Sequence, residues 1–181
     1  MGLSVFAQVS LAVAVFIAAV AAFTDFRRGI IPNWLTLPPL VGAPIAYALA
    51  LGMRPMMFSL IGILVCGLVP LVLFQQRAIG GGDVKLFAAL GALLGPFDGL
   101  QVQLVAVLAT ALFSLCLLAW NGKLLRTLGN TFYMMLNPIL PQAKRRQVSP
   151  ELMETVRMGI PIFVATLIVS GLRWGAMALT G

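Results

Sequence analysis

Uncharged, mostly apolar residues run from Ser4 to Phe23, Ile30 to Met53, Pro55 to Gln76, Leu86 to Phe97, Gly99 to Gly122 and Met158 to Leu172, with the charges confined to the gaps. A bilayer core of about 30 Å takes about 20 helical residues to cross. The pattern therefore predicts an all-α, polytopic chain of about six transmembrane helices. The fourth run is short and interrupted by Pro96 and Asp98, so it is expected to cross with local thinning or to be partly re-entrant.

One long polar interval remains, at about 121–157, expected as a cytoplasmic or interfacial loop. Leu124, Leu125, Leu128, Phe132, Met135, Leu136 and Ile139 recur there at helical spacing, which suits either an amphipathic interfacial helix or a packed cap. Ser149 and Pro150 read as an N-cap and first helical residue, with Gly159 and Pro161 expected to bend the helix that follows.

Composition agrees with the pattern. Hydrophobic residues make up 61% of the 181 and charged ones 9%, and mean hydropathy is +1.04, which excludes an ordinary soluble globular protein. The spans leave too little chain for a separate soluble unit, so residues 1–181 read as a single membrane domain. No Lys or Arg precedes the first run, which predicts a retained span rather than a cleaved signal.

The net charge of +7 follows membrane topology. With the amino terminus outside, Arg27, Arg28, Arg77, Lys85, Lys123, Arg126, Lys144, Arg145, Arg146 and Arg157 fall on the cytoplasmic side and only Arg54 and Arg173 on the other. Anionic lipid is the expected counter-charge, and no nucleic-acid partner is needed. Cys66 and Cys116 stand alone in apolar runs and read as small core residues, with neither zinc-site nor disulfide spacing. The chain has no His, so acid–base chemistry falls to carboxylates or lysine.

Five acidic residues are available. Asp25 follows the first span and Asp83 precedes the fourth, so the chain crosses twice between them and both are expected at the cytoplasmic face. Asp98 is expected on the opposite face and dispensable. An aspartate at mid-bilayer costs about 2.5–3.5 kcal/mol on insertion scales, so such groups usually meet a wet cavity or a polar partner. Two carboxyls sharing a site tend to hold one proton between them, the state in which one activates water and the other protonates a developing oxyanion. The plainer reading makes each a solvated charge at a helix end, which suits Asp83 at a helix N-terminus. Gly80-Gly81-Gly82 immediately before Asp83 shifts the balance, because three glycines permit a substrate strand to approach the acid closely.

These residues carry a resemblance. Gly80, Gly82 and Asp83, followed by Lys85, match a GxGD-x-K pattern, and Asp25 followed by Ile31, Pro32 and Asn33 matches a first-aspartate segment ending in I-P-N. The chain thus resembles the type IV prepilin peptidases, GxGD-type intramembrane aspartyl proteases. The resemblance covers essentially the whole chain, though mainly in hydropathy after residue 100. It implies a cofactor-free aspartic endopeptidase in which Asp25 and Asp83 are catalytic and the substrate is a pilin-like precursor. The precursor carries a short basic leader and a hydrophobic N-terminal helix, and is cut after a leader glycine on the cytoplasmic side. The chain lacks the extra cytoplasmic region with paired cysteines found in larger bifunctional members. It therefore looks like the short branch serving Flp or tight-adherence pili, and no methyltransferase activity is expected.

Around the pair, Asn33 reads as either a polar neighbour of the aspartates or a helix cap, and Lys85 as either a site residue or a topology signal. Glu151 and Glu154 are candidate contacts for a basic leader. Two other functions compete: a small proton-coupled transporter, which predicts acids near mid-bilayer and an internal repeat, and a non-catalytic pilus or secretion assembly protein, whose glycines would only pack helices.

Overall fold

A computed structural model describes residues 2–75, 79–120 and 158–180, nearly all of them helical and none in a strand. Five helices make up this part of the chain: α1 (Gly2–Arg28), α2 (Asn33–Leu51), α3 (Met53–Gln75), α4 (Gly81–Trp120) and α5 (Gly159–Thr180). All five are long and apolar enough to cross a membrane. Helices suit these sequences because every backbone polar group in a span must find its partner within the protein. The amphipathic segment expected at 121–157, with Ser149 and Pro150, lies outside the described residues.

Glycines set two of the chain reversals. α1 ends where Gly29 takes φ 66° and donates its N–H to the Asp25 carbonyl at 2.8 Å, a left-handed cap that a side chain would strain. The fourth and fifth runs of the sequence pattern turn out to be the two arms of α4, broken at Gly95 (φ 81°, ψ 176°) just before Pro96. A Cβ placed on Gly99 would lie 3.1 Å from the Gly91 Cα. Eight residues of unbroken helix would separate those positions by about 12 Å, so the arms fold back on one another.

The break leaves carbonyls at the end of the first arm without helical N–H partners, and side chains supply them. Pro96 has no N–H to offer Ala92, and the Ser59 hydroxyl donates to the Ala92 carbonyl instead, at 2.7 Å. The Tyr47 hydroxyl donates to the Leu93 carbonyl at 2.7 Å and lies 3.1 Å from Ser10 Oγ. In the first turn of the second arm, Asp98 accepts a 2.7 Å hydrogen bond from Arg173 Nε.

The first arm is the centre of the molecule. Residues 86–93 are all buried, and α4 touches each of the other four helices. A helix apolar on every side belongs inside, and Leu86, Phe87 and Leu90 are among its fully buried side chains. Gly62 of α3 meets Gly91 backbone to backbone, with Cys66 against Gly91 and Gly99. Such small-residue crossings provide tight helix packing where no water drives association. Cys66 thus fills the core as expected, whereas Cys116 is exposed. Large apolar side chains such as Phe16, Leu49, Leu64, Leu112 and Leu172 face outward, as a lipid-facing surface requires.

Candidate active site

Asp25 lies in the last turn of α1 and Asp83 in the first turn of α4, each 7% exposed. The helix that begins at Gly81 starts ahead of the expected fourth span, so Asp83 belongs to its opening turn rather than preceding it. The two residues line one cavity of about 270 Å³, together with Gly29, Ile30, Ile31, Gly80, Gly81 and Gly82. Asp98 is elsewhere: it sits beyond the Gly95 turn, and the arm of about 14 residues from Gly81 to that turn spans about 20 Å.

Each carboxyl is held by a backbone amide. The Gly80 N–H donates to Asp83 Oδ2 at 3.2 Å while the Asp83 N–H donates to the Gly80 carbonyl at 3.1 Å, a reciprocal pair that closes the start of α4. The plainer reading of Asp83, as a helix-end acid, is thus realised alongside its place in the cavity. Asp25 Oδ2 accepts a buried 3.0 Å hydrogen bond from the Gly159 N–H, 134 residues away, at the first residue of α5.

The glycines also make room for the protein itself. A Cβ on Gly82 would lie 3.0 Å from the Ile31 Cβ, one on Gly81 would lie 3.3 Å from the Phe74 ring, and one on Gly80 would lie 3.2 Å from Asp83 Oδ2. Gly82 thus lets α4 pack closely on Ile31 and Gly81 lets it pack on α3, while all three glycines line the cavity beside the aspartates, where sequence reasoning looked to an approaching substrate strand. Pro32 (φ −73°, ψ 145°) occupies the N-cap of α2 and offers no side-chain bond, which corrects the reading of Asn33 as that cap. Asn33 Oδ1 instead accepts a 2.8 Å hydrogen bond from Lys85 Nζ, an exposed tie between the starts of α2 and α4. Lys85 and Asn33 flank the cavity without lining it.

Arg27 stacks its guanidinium over the Phe23 ring at 4.8 Å, within its own helix. Glu151 and Glu154 lie outside the described residues. Gly159, expected only to bend the last helix, starts α5 and touches Asp25, while Pro161 sits in the first turn, where its missing N–H costs nothing. The only sequence signal for Gly159 was its place at the head of the last apolar run.

The model of the type IV leader peptidase family matches residues 12–115, which include both aspartates and the glycine run. A protein of the archaeon Methanothermobacter thermautotrophicus, described as prepilin peptidase EppA, is 33% identical over 168 residues, covering 86% of this chain and 43% of the relative. The chain thus spans less than half the length of that relative. No solved structure matches.

Proposed function

This chain belongs to the type IV leader peptidase family, and we propose that it is a membrane-embedded aspartyl endopeptidase that removes the basic leader from pilin-like precursors at the cytoplasmic face. The observation that carries this reading is the single cavity lined by both Asp25 and Asp83. One carboxyl is ionised and the other protonated. The ionised one takes a proton from water as the water oxygen bonds to the scissile carbonyl carbon, and the protonated one gives its proton to the carbonyl oxygen. Collapse of the resulting gem-diol breaks the C–N bond. The departing amine takes the proton that the water lost, the hydroxyl proton returns to the second carboxyl, and the pair again holds one proton.

Orientation rests on the distribution of Lys and Arg, which puts the amino terminus outside and the mouth of the cavity toward the cytoplasm. Anionic headgroups beside that basic face would hold the leader's positive charges at the interface, and Glu151 and Glu154 would add acidic contacts.

Co-expression with candidate precursors, followed by N-terminal sequencing of the product, tests the proposal. Asp25→Asn and Asp83→Asn are each expected to abolish processing while the protein still accumulates in membranes. Asp98→Asn is expected to keep it. Normal processing by either site variant would reject the assignment.

A further inference from the structure

We infer that the first residue of α5 is part of the catalytic apparatus: the Gly159 N–H is a positioning group that fixes the carboxylate of Asp25. The inference rests on the peptidase reading and adds to it a third segment of chain, beyond the two aspartate motifs. Asp25 Oδ2 is 3.0 Å from the Gly159 nitrogen in a buried contact, and Asp25 is 7% exposed. No side chain fits at this place. A Cβ on Gly159 would lie 2.7 Å from the Asp25 Cβ and 2.8 Å from Oδ2, inside van der Waals contact with a side chain that has no flexible length to yield.

The electrostatics give the amide a second task. Asp25 lies in the last turn of α1, the end where unpaired carbonyls carry partial negative charge, whereas Asp83 lies at the N-terminal end of α4. Asp83 draws its amide from its own helix start, at Gly80. Asp25 has no such start beneath it, and the opening of α5 supplies one. Each carboxyl therefore rests on one amide at a helix beginning, although the two come from opposite ends of their own helices. Gly159 acts through Asp25 and does not line the cavity itself.

The test compares two changes at one position, each made in the full chain in lipid nanodiscs and assayed on a pilin-like precursor that the wild type cleaves. Gly159→Ala adds the clashing carbon. Cell-free incorporation of glycolic acid at 159 replaces the N–H by an ester oxygen and adds no atom. The alanine variant is expected to lose about 100-fold in kcat, as misplacements of about 1 Å do. The ester is expected to lose about tenfold or more, as a charge-assisted hydrogen bond does. In both, KM should stay near wild type. Glycolic acid at Gly171, in the same helix with open space around it, should leave kcat unchanged. Wild-type kcat in the ester variant would overturn the inference, and so would a rise in KM at constant kcat, which would make Gly159 a substrate contact. Should the alanine variant fail to accumulate, the ester result decides alone. Processing by Asp25→Asn would instead sink the peptidase reading itself.

Discussion

Gly82→Ala separates two accounts of the glycine run. If Gly82 leaves space for a substrate strand, an added methyl obstructs the substrate and KM rises. If it leaves space for Ile31, the methyl pushes the Ile31-Pro32-Asn33 segment off the start of α4, and the cavity loses its shape whether or not substrate is bound. The distances favour the second account, because the new carbon would sit 3.0 Å from the Ile31 Cβ and 3.5 Å from both Ile31 Cγ1 and the Ile31 nitrogen. Carbon atoms rest at about 3.5–4.0 Å, so the segment must retreat by about 0.5–1 Å. Overpacking of this size costs about 1–3 kcal/mol in stability. Displacing the walls of a two-carboxylate site by up to an ångström costs up to about 100-fold in rate.

Steady-state cleavage of a precursor in nanodiscs reads out both quantities. Gly82→Ala is expected to lower kcat by about 10- to 100-fold with KM nearly unchanged, and Ile31→Gly in the same chain should restore part of the loss, because it removes the Cβ that opposes the methyl. Contacting residues couple in this way, whereas independent sites add. Gly42→Ala, with nothing within 4 Å of the new carbon, serves as control and should be neutral or slightly stabilising in its helix. A variant that keeps wild-type kcat but raises KM, with no rescue by Ile31→Gly, would refute the packing argument.

Two further outcomes follow from the same geometry. Ser59→Ala should destabilise the protein by about 1–2 kcal/mol in reversible unfolding from lipid–detergent micelles, because the Ala92 carbonyl loses the buried donor that stands in for the N–H Pro96 lacks. Thr110→Val should cost less than about 0.5 kcal/mol in the same measurement, since the Ala106 carbonyl it leaves lies inside a helix. Asn33→Ala and Lys85→Ala should each slow cleavage by less than about tenfold, consistent with an exposed hydrogen bond, and the double variant should be no slower than the worse single one.

The helical class of the fold was legible because a bilayer imposes a length and a polarity on each crossing, and uninterrupted apolar runs record both. Pro96 and Asp98 marked the weak place in the fourth run, and the break falls beside them at Gly95. What the pattern did not show is that the carbonyls freed there are met by Ser59 and Tyr47 from two other helices. Those partners are scattered in sequence and ordinary in type. Local chemistry likewise pointed to Asp25, Asp83 and the glycines between Ile79 and Asp83, which line one cavity. It left Asn33 between a helix cap and a polar neighbour of the aspartates, because excluding the cap and meeting Lys85 depend on where α2 and α4 begin.

Gly159 shows the limit most clearly. A glycine ahead of an apolar run serves many purposes, and its contact with Asp25 spans 134 positions, so nothing near it in the sequence distinguishes a hinge from a fixed amide. The family match ends at residue 115, before α5 begins, yet α5 provides the amide on Asp25. A chain ending after the second arm of α4 would keep both aspartates and the whole glycine run while leaving Asp25 at the negative end of α1 with one donor fewer. The two motifs are therefore an incomplete description of the site, and the last helix belongs to its chemistry as well as to its packing.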